Sequence, residues 1–132
     1  MMHVLLVEDN PADVLMVREA VRTSPVRADL MIAYDGEQAI RFLNEFGFEP
    51  DIVFMDLSIP NLDGFELLKY LYANQGPPVI ILTGSANPAD RQRATDAGAE
   101  EYIIKPTELD DFLKVVRDAL VRWSGQAVAR GV

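Results

Sequence analysis

The chain has 132 residues, 49% hydrophobic and 25% charged, with a formal net charge of −9. That length suits one domain with a full core, and the charge argues against holding a phosphate backbone, so no nucleic-acid partner is expected. Cysteine is absent and His3 is the only histidine, which excludes disulfides, thiolate or histidine-rich metal sites, Cys nucleophiles and Ser-His-Asp triads. No apolar stretch reaches membrane-spanning length and no leader-like segment opens the chain, so a cytoplasmic protein without membrane contact is expected.

The first strand-like run is 3–7, where Val4-Leu5-Leu6-Val7 leads into Glu8-Asp9. His3 reads as an ordinary half-exposed strand residue. Asn10 can cap a helix over 11–23, with Pro11 at its first position and Asp13 in its first turn. Val14, Leu15, Met16 and Val17 are more than one core stripe needs, so Leu15 or Met16 faces a partner or packs at the rim. A second strand at 29–34 and a helix at 36–46 follow. Ile52-Val53-Phe54-Met55 then runs into Asp56, before a helix at 64–74. The strand at 79–83 ends on Thr83 before Gly84, and a helix at 88–97 follows. Tyr102-Ile103-Ile104 runs into Lys105-Pro106. The last helix, 107–123, places Leu109, Phe112, Leu113, Val116, Leu120 and Trp123 on one stripe. Gly47, Gly76 and Gly98 stand where helices should stop. Residues 125–132 lose periodicity and read as a flexible tail after a domain spanning 1–124.

Five strand–helix units with short connections and nearly continuous apolar strands indicate an α/β protein. The length fits an open, doubly wound, five-stranded parallel sheet of flavodoxin-like order 2-1-3-4-5, with helices on both faces. In that order strands one and three are neighbours at the switch point. Glu8, Asp9 and Asp56 then meet at the carboxyl edge of the sheet, with Lys105 nearby.

Clustered carboxylates must take up a proton, shift apart or bind a cation. With no Cys or His to compete, their hard oxygens favour Mg²⁺ or Mn²⁺. Helix capping explains Asn10 and one acid, but not Asp56, which precedes the loop Leu57-Ser58-Ile59-Pro60. A carboxylate there can attack phosphorus. Such a transfer needs mainly positioning and charge neutralisation, which Lys105 and the Thr83 hydroxyl can supply.

Glu8-Asp9, Asp56 in M-D-L-S-I-P-N-L-D-G, Thr83 in I-I-L-T-G-S and Lys105-Pro106 in A-G-A-E-E-Y-I-I-K-P together resemble the receiver domain of two-component response regulators. The match covers residues 3 to about 123. The resemblance implies Asp56 as phosphoacceptor, and Mg²⁺ held by Asp9, Asp56 and the main-chain carbonyl of Ser58, with Glu8 acting through a metal-bound water. It implies Thr83 and Lys105 on the phosphoryl group, Tyr102 as a switch aromatic, and a cis bond before Pro106. E-D-N-P-A-D-V and the aromatic near the end of the last helix are similar to the stand-alone regulators of bacterial phytochromes. Ser58 stands where many of that group carry asparagine, but a carbonyl ligand does not depend on the side chain.

By this resemblance the donor is the phosphohistidine of a partner sensor histidine kinase, such as a bacteriophytochrome. The same resemblance implies that the signal leaves by protein contact or by sharing phosphate, and that helix four, strand five and helix five are the expected face for a homodimer. The chain is expected to be a signalling phosphoacceptor and not an enzyme. One rival is a Mg²⁺-dependent phosphatase of the haloacid dehalogenase type, but Ser58 stands where its second acid belongs. An unphosphorylated pseudo-receiver is another. A flavin-binding protein lacks support, because acids follow the first strand where a phosphate loop belongs.

Overall fold

The computed structural model describes residues 1–45, 47 and 49–131, with side chains through Gly125. Strands and helices alternate as β1 (Met2–Val7), α1 (Pro11–Thr23), β2 (Ala28–Ala33), α2 (Gly36–Asn44), β3 (Ile52–Met55), α3 (Gly64–Ala73), β4 (Val79–Thr83), α4 (Pro88–Asp96), β5 (Glu101–Ile104) and α5 (Leu109–Gly131). The sheet order is β2-β1-β3-β4-β5 and every pairing is parallel, as the sequence predicts. No helix among the described residues is long and apolar enough to cross a membrane.

Alternation along the strands divides the core in two. Leu5, Val7, Val53, Met55, Val79 and Ile81 face α2, α3 and α4, where Ala39, Leu67, Leu68, Leu71 and Ala94 cover them. Val4, Leu6, Ile52, Phe54, Ile80 and Leu82 face α1 and α5, against Val14, Val17, Phe112, Val116 and Leu120. The three central strands are buried on both faces, which is why they read as unbroken apolar runs.

Local chemistry sets the helix ends. Asn10 accepts the Ala12 and Asp13 N–H groups at 2.9 and 3.4 Å, starting α1 immediately after the acidic pair. Gly98, at φ +109°, ends α4, where the Gly98 and Ala99 N–H groups return to the Thr95 and Ala94 carbonyls. At the end of α3 the left-handed residue is Gln75 (φ 55°), and Gly76 donates to Leu71 at 2.8 Å one position later. The expected stop at Gly76 is therefore displaced by one residue.

Two further expectations are corrected. Leu109 is 54% exposed, so the buried stripe of α5 begins at Phe112. The expected tail from 125 is helical, since α5 runs to Gly131. The end of the second helix expected at Phe46 lies outside the described residues.

Candidate functional site at the carboxyl edge of the sheet

The register of the central strands brings the chemistry together. Val7 pairs with Met55, so Glu8 and Asp56 leave adjacent strands at the same level, and the Asp56 N–H still donates to the Val7 carbonyl at 3.1 Å. Thr83 pairs with Ile104, and the Lys105 N–H donates to the Thr83 carbonyl at 2.7 Å. Lys105 thereby leaves the edge strand aimed inward across the ends of β4 and β3.

Its ammonium lies 2.7 Å from Asp56 Oδ2, 3.0 Å from Glu8 Oε2 and 2.7 Å from Asp13 Oδ2. Glu8, Asp56 and Thr83 are the buried polar residues of the described chain. Glu8 also accepts the Asn10 N–H at 3.0 Å, and Asp56 accepts the Ser58 N–H at 3.2 Å. Asp9 is exposed beside them.

These contacts separate the two buried acids. Burial pushes the Asp56 carboxyl up, but hydrogen bonds from Lys105 and Ser58, the Lys105 charge and the Thr83 hydroxyl outweigh it and hold Asp56 below the ordinary carboxylate range. For Glu8 burial wins. With the Asp56 charge adding to it and Asn10 and Lys105 opposing, Glu8 is raised to about 7. Burial would lower Lys105, but hydrogen bonds to Asp13 and Asp56 and the charges of Asp56 and Glu8 hold it well above its usual range. Asp56 is thus the ionised, electron-rich group of the site.

A raised carboxyl gives stability that is complete below its ordinary value of 4.5 and lost as pH rises through about 7. In chelator-treated protein, the wild type is therefore expected to lose stability relative to Glu8→Gln between pH 4.5 and 8. The loss should be on the order of 2 kcal/mol, read from urea melts at each pH. Parallel stability curves for the two proteins would refute it.

The oxygens available to a divalent cation are the Glu8, Asp9 and Asp56 carboxylates and the Ser58 carbonyl. Among the described residues no three acids form a ready cation cage, and the point between Glu8, Asp13 and Asp56 belongs to the Lys105 ammonium. This donor chemistry fits a hard, hydrated ion bound by few carboxylates.

Tyr102 packs half-buried against the α3–α4 side of the core. Its hydroxyl donates to the Ser85 carbonyl at 2.9 Å, and the Ser85 N–H donates to the Thr83 hydroxyl at 3.5 Å. Thr83 and Tyr102 are therefore both hydrogen-bonded to Ser85 in the turn after β4. The Arg91 guanidinium stacks 5.4 Å above the Tyr102 ring, from α4.

The expected cis bond before Pro106 is absent: no cis peptide bond occurs among the described residues. Trans is the lower-energy isomer of an X–Pro bond, and Lys105 reaches all three carboxylates with it. The sequence reading also missed Asp13 as a site residue and treated it only as a first-turn acid. Its position one turn into a helix that starts at the site was the available signal.

The family model described as response regulator receiver domain matches residues 4–117. Response regulator Rcp1 of Synechocystis sp. is 34% identical over 128 residues, covering 91% of this chain and 87% of its own length. The Escherichia coli KDP operon transcriptional regulatory protein KdpE is 34% identical over 94% of this chain, which spans only 53% of that relative. Two solved structures superpose closely. The phosphorylated cyanobacterial phytochrome response regulator RcpA has a TM-score of 0.88 at 28% identity, covering 95% of each chain. The Mn²⁺-bound form of response regulator Rcp1 has a TM-score of 0.83 at 32% identity, covering 93% of this chain and 94% of that one. With this fold, this arrangement of acids and lysine, and these likenesses, the chain belongs to the response regulator receiver domain family of two-component signalling.

Proposed function

We propose that the protein is a stand-alone response regulator that accepts a phosphoryl group on Asp56 from the phosphohistidine of a partner sensor histidine kinase. The observation that carries this reading is the Lys105 ammonium 2.7 Å from Asp56 Oδ2, beside the one buried acid held in its ionised form. An Asp56 carboxylate oxygen attacks phosphorus. The P–N bond of the donor breaks, and the imidazole leaves with the electron pair. Lys105, already central to the site, turns its charge to the new phosphoryl oxygens, and the buried Thr83 hydroxyl donates to one of them.

Glu8, Asp9, Asp56 and the Ser58 carbonyl would hold Mg²⁺, or Mn²⁺ as in the solved form of Rcp1, with Glu8 acting through water. The ion supplies neutralisation of phosphoryl charge when bound. Recruitment of the Thr83 hydroxyl loosens its tie to the Ser85 turn, where the Tyr102 hydroxyl is anchored. The site thereby reaches the surface of α4 and β5.

The likeness to RcpA and Rcp1 supports a phytochrome-type kinase as partner and a cytoplasmic setting. Leu15, 66% exposed on α1, is the available apolar contact for it, whereas Met16 packs against the core. The exposed apolar side chains of Ile104 on β5 and of Leu109 and Val121 on α5 support the β5 and α5 part of a pairing of two copies through α4, β5 and α5.

Acetyl phosphate with Mg²⁺ is expected to add one phosphoryl mass to the intact wild type and none to Asp56→Asn. An unlabelled wild type, or equal labelling of the variant, would sink the proposal in favour of a pseudo-receiver. Steady turnover of a small phosphomonoester would favour a phosphatase. Light scattering on the same samples tests pairing, which a single-chain mass before and after labelling removes.

A further inference from the structure

The Lys105 ammonium has three acidic partners, and one of them is not needed to explain the chemistry. Asp13 comes from the first turn of α1, 92 residues away in sequence, yet Lys105 sits as close to Asp13 as to Asp56, at 2.7 Å. Both side chains are largely shielded, at 13% exposure for Lys105 and 16% for Asp13. Solvent therefore screens the pair weakly. The Asn10 cap holds the start of α1, which fixes Asp13 relative to Glu8 and β1.

We infer that Asp13 is a positioning residue that competes with the phosphoryl group for Lys105, and so sets how strongly the site holds that group. The inference rests on the reading of Asp56 as phosphoacceptor. In the unmodified protein Lys105 is shared by Asp56, Glu8 and Asp13. A phosphoryl group on Asp56 brings further negative charge to the same ammonium. Asp13 then draws Lys105 away from the new oxygens toward α1, and weakens the contact that stabilises the modified state. Asparagine at this position keeps an acceptor oxygen of similar reach but gives up the charge. Lys105 is then free to commit to the phosphoryl group.

Beryllofluoride, a phosphoryl mimic that adds to a carboxylate, tests this without any turnover. It is titrated into the full-length chain at saturating Mg²⁺ and followed by fluorine NMR. Affinity is expected to rise roughly three- to tenfold in Asp13→Asn, a gain equal to about 0.7–1.4 kcal/mol, and to return to within about twofold of wild type in Asp13→Glu. The gain should disappear in a Lys105→Ala background. A purely structural role for Asp13 would lower affinity in Asp13→Asn or leave it unchanged, and either result overturns the inference. So does a gain that persists in full without Lys105. If wild type bound no beryllofluoride, the phosphoacceptor reading would fail as well. Wild-type binding with no response to Asp13→Asn would remove this inference alone.

Discussion

Lys105→Met is expected to lower the stability of the metal-free protein by about 3 kcal/mol at pH 8, and far less at pH 4.5. The ammonium stands within 3.0 Å of Glu8, Asp13 and Asp56, and two of those acids are buried. Methionine matches the stem of the lysine but leaves the carboxylates without their cation. Burial, now barely opposed, would raise the Asp56 carboxyl as it already raises Glu8. The sign follows. In wild type the depressed Asp56 gives stability that is present above its ordinary value and lost as pH falls. In the variant the raised acids give stability that is lost as pH rises. The gap between the two proteins therefore opens with pH. For a chain of this size it corresponds to a melting-temperature drop of roughly 10 °C at pH 8. A gap that is constant with pH would show that Lys105 acts by packing and not by charge.

Gly64→Ala is expected to lower stability by about 1–3 kcal/mol and to slow labelling of Asp56. Gly64 begins α3, and a Cβ there would lie 2.7 Å from the Leu57 carbonyl oxygen and 2.8 Å from the Leu57 Cα. Both are backbone atoms, so no rotamer change relieves the clash. Leu57 follows Asp56 directly, and the next residue donates its N–H to the Asp56 carboxylate at 3.2 Å. Pressure on Leu57 therefore moves Ser58, with its carbonyl and its N–H, away from the site. Gly84 is the control, because a Cβ there meets nothing within 4 Å. Gly84→Ala should melt within about 1 °C of wild type. Thermal melts and acetyl phosphate labelling of the two variants decide the matter. Normal labelling of Gly64→Ala would separate the helix contact from the site.

Much of this was legible because buried parallel strands leave a strong mark. Val4–Val7, Ile52–Met55 and Val79–Thr83 read as apolar runs since helices cover both faces of each. The polar residue at the end of each run, Glu8, Asp56 or Thr83, had to lie at the sheet edge. Caps such as Asn10 are short-range hydrogen bonds, so their sequence signal is local as well. Leu109 was misplaced because helical periodicity gives a face without saying where the neighbouring element ends. The Pro106 bond was misassigned because isomers of X–Pro differ little in energy, and the surrounding fold selects one.

By itself the sequence determined the five strand–helix units, their order, and the chemical types gathered at one edge of the sheet. Those follow from patterns of a few residues, where backbone preference and apolar periodicity act. Only the tertiary structure decided which acids share Lys105 and how they differ. It placed Asp13 at 2.7 Å from Lys105 across 92 residues. It also left Asp56 ionised and pushed Glu8 to about 7. Charge and burial act through space, and their balance depends on distances that no run of neighbouring residues records.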